Sequence, residues 1–228
     1  MRLRRNSSQI EIQFADTKIR IIMAKNFAAI AFTDAVKAMQ EKLGSRSSYA
    51  RMERDIYVDG LTENEIDFIA QRDSFYMASI GENNFPYIQH RGGPKGFLKV
   101  LDAKRIGFID FRGNMQYISI GNIATNNNAA LIMVDYPVRT RLKILAKAQI
   151  VELTDDPVLY DLLDLDDYKF KPERMIIFNI EAYDWNCPQH ITPRYTVEDI
   201  EEAFAGQQDH IAKLEAEVKE LRLKLRGA

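Results

Sequence analysis

Apolar and polar positions along this chain change their period several times, and each change predicts a different kind of element. Phe32, Val36, Met39 and Leu43 recur at three- and four-residue steps, which predicts an amphipathic helix stopped by Gly44. "SRSSYARMERD" then reads as a polar connector. Thr62 and Glu65 in "LTENEIDFIAQRDS" stand at capping-box spacing, so a short helix is expected there with Ile66 and Ile69 facing inward. The period then falls to two. "SFYMASIG", "FPYIQHRGG", "GFLKVLD" and "RIGFIDF" are short, rich in aromatic and branched residues, and separated by Gly, Asn, Pro and Asp, as successive antiparallel strands are. "AALIMVDYP", "RLKILAKAQIVEL" and "RMIIFNIEAYDW" continue the series. "DDPVLYDLLDL" interrupts it as a short helix, with Asp at the N-cap and Pro just inside.

These strands follow one another at hairpin distances, with too few long helices between them for a parallel sheet. The expected fold is therefore mainly β: a small antiparallel barrel with flanking helices. From Thr196 the pattern is helical again. Ile200, Phe204, Gln207, Ile211, Leu214, Val218, Leu221 and Leu225 mark a heptad seam flanked by Glu and Lys. Gln207, beside Gly206, interrupts the seam, and a hinge is expected there. Periodicity leaves two forms open, a coiled-coil dimer or a single amphipathic helix lying on the barrel. Upstream, Met23 opens "MAKNFAAIAF" like a natural start, so residues 1–22 read as an extension; the alternation in "IEIQF" equally suits an added edge strand. The expected organisation is an extension (1–22), a helical lead-in and connector (23–61), a barrel domain (62–195) and a C-terminal helix (196–228).

Composition removes several functional classes. Lys and Arg total 31 against 33 Asp and Glu, a net charge of −2, which argues against binding nucleic acid through phosphate neutralisation. The single cysteine, Cys187, excludes an internal disulfide and a multi-cysteine metal site, and fits a reducing compartment. Between a reactive thiol and a small buried residue at a turn, the second is the expected reading, since no neighbouring cation is evident to lower its pKa. No apolar run approaches a membrane span, and the basic opening lacks an apolar signal core; a cytoplasmic location is expected.

Candidate chemistry concentrates in a few segments. "YIQHRGGP" puts Gln89, His90 and Arg91 at a strand end, before glycines that permit close approach. "DFRGNMQYISIGN", followed by "ATNNNAA", weaves amides and hydroxyls through apolar residues. In "DYPVRTRLK", Arg139, Arg141 and Lys143 alternate and are expected on one strand face. Such cations near Ser, Tyr and Asn donors suit an anionic phosphoester; a solvated basic edge that guards against aggregation is the other reading. "DWNCPQHITPR" offers Trp185, either a core cap or a flat wall for a planar heterocycle. Phosphate-loop and dinucleotide glycine patterns, paired-histidine metal motifs and a nucleophile elbow are all lacking; His90, His190 and His210 are scattered.

Taken in order, "RDSFYMASI…FPYIQHRGGPKGFLKVLD", "IGFIDFRGNMQYISIGNIATNNNAAL", "DYPVRTRLKILAKAQIV" and "DWNCPQHITPR" resemble the flavin-nucleotide-binding proteins related to pyridoxamine 5'-phosphate oxidase, from about Phe27 to about Arg194. The resemblance implies a split β-barrel homodimer that holds FMN at each of two interface sites. Matched residue by residue, it puts Gln89, His90, Arg91 and Gly92 along the flavin ring, and Asp110 and Phe111 by the ribityl chain. Asn114, Gln116, Tyr117, Ser119 and Asn122 fall on the phosphate side. Arg139, Arg141 and Lys143 lie on a strand lining the site, and Trp185 and Gln189 reach the cofactor late in the chain. The sequence departs from the oxidase itself: the Arg and Lys of its phosphate clamp are missing, leaving the phosphate to Arg139 or Arg141, and its substrate-phosphate residues have no counterpart. Pyridoxamine phosphate is therefore not the expected substrate. An FMN-dependent oxidoreductase acting on another small molecule is expected, with Tyr117, His90 and His190 as candidate acids or bases. The alternatives are a non-catalytic flavin carrier or sensor, or a barrel holding a deazaflavin or haem.

Overall fold

Phe75, Phe97, Phe108 and Phe178 are each at most 2% exposed, and their rings pack within 5.5–6.3 Å of one another in stacked and edge-on pairs. Around this cluster the chain, a computed structural model describing residues 3–6, 9–14, 17–22, 26–55, 59–185 and 188–226, lays a seven-stranded antiparallel sheet. Its strands are β4 (Ser74–Ile80), β5 (Pro86–Gly92), β6 (Lys99–Asp102), β7 (Arg105–Phe111), β8 (Asn128–Asp135), β9 (Thr140–Val151) and β10 (Pro172–Trp185), in the order β5-β4-β8-β9-β10-β7-β6. Phe75 belongs to β4 and Phe108 to β7, each second from an opposite end of that order, yet their centroids are 5.5 Å apart. Only a sheet that curls back on itself can bring them together. At Gly107 of β7 an added Cβ would stand 2.6 Å from Ile177 Cδ1, so the backbone of β7 packs where a side chain has no room.

Alternation decides which side of each strand is buried. On β9, Leu142, Ile144, Ala146 and Ala148 enter the core, while Arg141, Lys143 and Lys147 stay half-buried on the other face. Helix α5 (Ile118–Thr125) sits between β7 and β8, and α6 (Pro157–Leu163) between β9 and β10. In α6, Asp156 accepts the Leu159 N–H at 2.9 Å and Pro157 stands just inside, as the sequence predicts. Upstream, β1 (Leu3–Asn6), β2 (Gln9–Phe14) and β3 (Thr17–Ile22) pair antiparallel in a sheet of their own and do not add an edge strand to the larger one. Met23 and Cys187 lie outside the described residues.

Four helices precede the large sheet: α1 (Phe27–Ala31), α2 (Asp34–Lys42), α3 (Arg46–Asp55) and α4 (Glu63–Ala70). Gly44, with φ +75, follows α2 as expected. Helix α3 occupies the stretch read as a connector. Its polarity is real, but its supports are distant in sequence: Glu53 accepts Lys37 Nζ at 2.7 Å and Arg46 Nη2 at 2.5 Å, while Asn26 Nδ2 donates to the carbonyls of Met52 and Glu53 at the end of the helix.

The chain divides into two compact units, Met1–Val134 with Thr140–Cys187 and Asp135–Arg139 with Pro188–Ala228. The second contains α7 (Val197–Arg226), capped reciprocally by Thr196 and Asp199. The expected hinge is not there. Helix α7 runs unbroken through Gly206 and Gln207, since one interior glycine costs only about 1 kcal/mol in a helix of this length. Among the described residues, no helix is long and apolar enough to cross a membrane.

The predicted capping box on α4 forms, with a second function. Glu65 is 4% exposed; besides the Thr62 N–H at 2.9 Å it accepts Trp185 Nε1 at 2.6 Å and the Tyr183 hydroxyl at 3.1 Å, both from β10. Burial pushes its carboxyl up, but the hydrogen bonds from Thr62, Trp185 and Asn64 outweigh it and hold the group at about 2. Burial and the neighbouring carboxylate push Tyr183 up. A carboxyl held below its unfolded value of 4.5 stabilises the fold above that pH and loses its contribution as the pH falls from 4.5 to about 2. Glu65→Gln is therefore expected to cost up to about 3 kcal/mol at pH 7, with the difference from wild type shrinking across that acid window. Urea unfolding at pH 7 and pH 2.5 measures both.

Candidate functional site

Strand β5 directs Tyr87, Gln89 and Arg91 to its more buried side and Ile88 and His90 outward. Facing Gln89 and Arg91 are the end of β7, the start of β10 and helix α5, and between them lies a cleft of about 190 Å³. The segment entering α5 is bent sharply. Met115 (φ 57) and Tyr117 (φ 54) both take left-handed conformations that side chains disfavour. Tyr117 is the residue before the helix and provides no side-chain cap for its first N–H groups, and Ile118, Ser119 and Ile120 of that first turn line the cleft.

Asp110 organises the charges. Its carboxylate, 4% exposed, accepts Arg91 Nη1 at 2.6 Å and Arg174 Nη1 at 2.8 Å. Arg174 also reaches Glu173 at 3.2 Å and lies over the Tyr117 ring, 5.1 Å from its centroid, while the Tyr117 hydroxyl donates to Glu173 at 3.3 Å. Ser119 Oγ, buried, donates to Gln89 Oε1 at 2.6 Å. Arg91 Nε is buried and has no hydrogen-bond partner. The cleft thus brings Arg91, whose buried Nε lacks a partner, together with the first residues of a helix, a set suited to a phosphate or other oxyanion.

Of the expected site residues, Gln89, Arg91, Asp110, Phe111, Asn114, Tyr117 and Ser119 line this cleft. Gln116 lies in the entering segment, its N–H donated to Asn114 Oδ1 at 3.2 Å. Asn122 faces the sheet and donates to Ser79 Oγ at 3.0 Å, docking α5 on β4. His90 points away from the cleft, edge-on to Tyr76 at 5.3 Å, and Gly92 ends β5 opposite Ser74. Lys143 pairs with Asp184 at 2.7 Å and covers the Phe27 ring. Trp185 takes the core-cap arrangement, bound to Glu65 and edge-on to Phe68 at 4.8 Å. Arg141 lies on β9 with its Nε buried and without a hydrogen-bond partner.

Arg139 corrects the expected alternation. It is in the turn before β9, with φ 57 and its N–H donated to Tyr136, because the strand begins only at Thr140. Arg139 and the exposed Gln189 belong to the second compact unit. Arg174 and Glu173 escaped the sequence reading: a charged pair at the start of a strand looks like a solvated end, and nothing local marks the carboxylate across the sheet that holds Arg174. Among the described residues no group of His, Cys, Asp and Glu could hold a metal.

No family model and no curated protein matches the sequence. Among solved structures, the chain is similar to a protein of Lactobacillus delbrueckii provisionally named a pyridoxamine 5'-phosphate oxidase (22% identity, 56% of this chain and 95% of that one, TM-score 0.43). It is also similar to an FMN-binding protein of Syntrophomonas wolfei (13%, 65% and 97%, 0.41) and to an F420 reductase (17%, 54% and 98%, 0.39).

Replacing Asp110 with Asn would leave the largely buried Arg91 guanidinium without its counter-charge and Arg174 with Glu173 alone. A stability loss of about 3–5 kcal/mol is expected, read by chemical denaturation of the purified protein.

Proposed function

We propose that the cleft binds the phosphate and ribityl chain of FMN, and that the protein acts as an FMN-dependent oxidoreductase on a small organic substrate. The observation that carries this reading is the unpartnered Arg91 Nε beside the uncapped N-terminus of α5. Arg91 and the α5 N–H groups would hold the phosphate, with the Asn114 side-chain amide adding a donor. Asp110 keeps both guanidinium groups oriented before any ligand arrives. The motif resemblance supports FMN as the phosphorylated ligand. Bound flavin supplies the hydride and electron transfer; the chain supplies binding, orientation and exclusion of water.

The same reading includes a homodimer. Met115, Tyr117 and Ile118 expose apolar surface on the cleft, a composition suited to a second subunit that would close it. A non-catalytic flavin carrier is the second reading, favoured by the cleft's own titratable groups. Asp110 and Glu173 are both engaged in ion pairs, and the Tyr117 hydroxyl donates to Glu173, so acid–base chemistry would have to come from elsewhere. Consumption of a reductant in excess of bound flavin supports the enzyme; reduction that stops at one equivalent supports the carrier.

The visible spectrum separates flavin from deazaflavin or haem. Arg91→Lys retains the charge facing Asp110 but removes the Nε donor and the planar fork. It is expected to raise the FMN dissociation constant by about tenfold to a hundredfold, the worth of a charge-assisted hydrogen bond. Fluorescence titration measures it, and an unchanged constant would remove the phosphate from this cleft.

A further inference from the structure

Helix α7 spans 30 residues and none of them is buried. Apart from Leu223, its large apolar residues nevertheless fall on one seam, with Ile200 at 48% exposure and Leu225 at 80%. We propose that α7 pairs with α7 of a second copy of this chain as a parallel, in-register, two-stranded coiled coil.

Three features of the helix select that occupant and that geometry. The alternating steps put Phe204, Ile211, Val218 and Leu225 at a positions and Ile200, Gln207, Leu214 and Leu221 at d positions. In the C-terminal heptads this gives β-branched Ile and Val at a with Leu at d, the combination that favours two parallel strands. Gln207 is the second feature. In an in-register parallel pair its amide meets the Gln207 amide of the other copy and each can satisfy the other. A slip of one heptad would set it against Leu214, and an antiparallel pair, whose layers join a to d, would set it among apolar side chains. A lone polar layer of this kind fixes register at some cost in stability.

Charge complementarity is the third. In a parallel coil a residue at g faces the e position five residues further along the other helix. Glu217 then faces Arg222, a pair that occurs twice by symmetry. No like-charged g–e pair arises within the helix. The exposed faces carry their own support, as in the Glu220–Lys224 pair at 2.5 Å.

This pairing is independent of whether the cleft takes FMN, so the test uses the full-length chain without added flavin. In a Cys187→Ser background, Leu221→Cys is expected to give a disulfide-linked dimer rapidly under mild oxidation, because in-register d positions face each other. Ala216→Cys, on the outer face, is expected to give none. A charge reversal provides a second readout. Glu217→Lys should slow cross-linking through Leu221→Cys at least severalfold, and adding Arg222→Glu should restore it. Cross-linking of Leu221→Cys chains only to Phe204→Cys chains would overturn the parallel arrangement. Absence of cross-linking in every combination would overturn the coil itself, leaving the flavin titration of the cleft unaffected.

Discussion

A single buried carboxylate joins the two ends of an open sheet. Arg91 belongs to β5, the outermost strand at one end; Asp110 and Arg174 belong to β7 and β10, near the other. Hydrogen bonding between strands cannot make this closure, since β5 and β7 are not neighbours in the sheet. The aromatic cluster brings the two halves together through dispersion and burial, which have no preferred direction. The ion pairs add the direction. They set how the inner face of β5 meets β7, and the cleft is the space left beside that junction.

Glu65 and Asp110 use similar chemistry for different ends. Each is a nearly fully buried carboxylate with partners from separate elements. Glu65 meets mainly neutral donors, and its hydrogen bonds are internal to the junction of α4 with β10. Asp110 meets the guanidinium groups of two arginines that line a cleft. A carboxylate satisfied by neutral donors ends the network. One satisfied by arginines passes it on, because each arginine carries more donors than the carboxylate can occupy.

These contrasts explain what was legible in the sequence. The strands, their antiparallel sense and the caps of α2, α4 and α6 follow from period and local chemistry, and each is visible within a few residues. Helix α3 was not legible, because Asn26, Lys37 and Glu53 act across intervals that a periodicity window does not span. The site divides in the same way. Gln89, Arg91, Asp110 and Ser119 could be named, since they stand in polar segments that break the strand pattern. Arg174 could not, because its meaning depends on Asp110, 64 residues earlier. Arg139 was misplaced by one assumption, that alternation extends beyond the strand's first residue; the left-handed turn ends it at Thr140.

The balance of charge within the cleft limits how it can recognise an anion. Arg91 and Arg174 are opposed there by Asp110 and Glu173, so an arriving phosphate meets guanidinium groups already compensated, and long-range attraction is weak. What the cleft retains is direction. Arg91 Nε is buried without a partner, the first turn of α5 lines the same cleft with no side-chain cap, and Met115 and Tyr117 before it take left-handed conformations. Donors fixed beforehand lose little entropy on binding, and a buried N–H with no partner gains more from an acceptor than a solvated one does. Affinity in such a site comes from the fit of an oxyanion's lone pairs to these donors more than from its net charge.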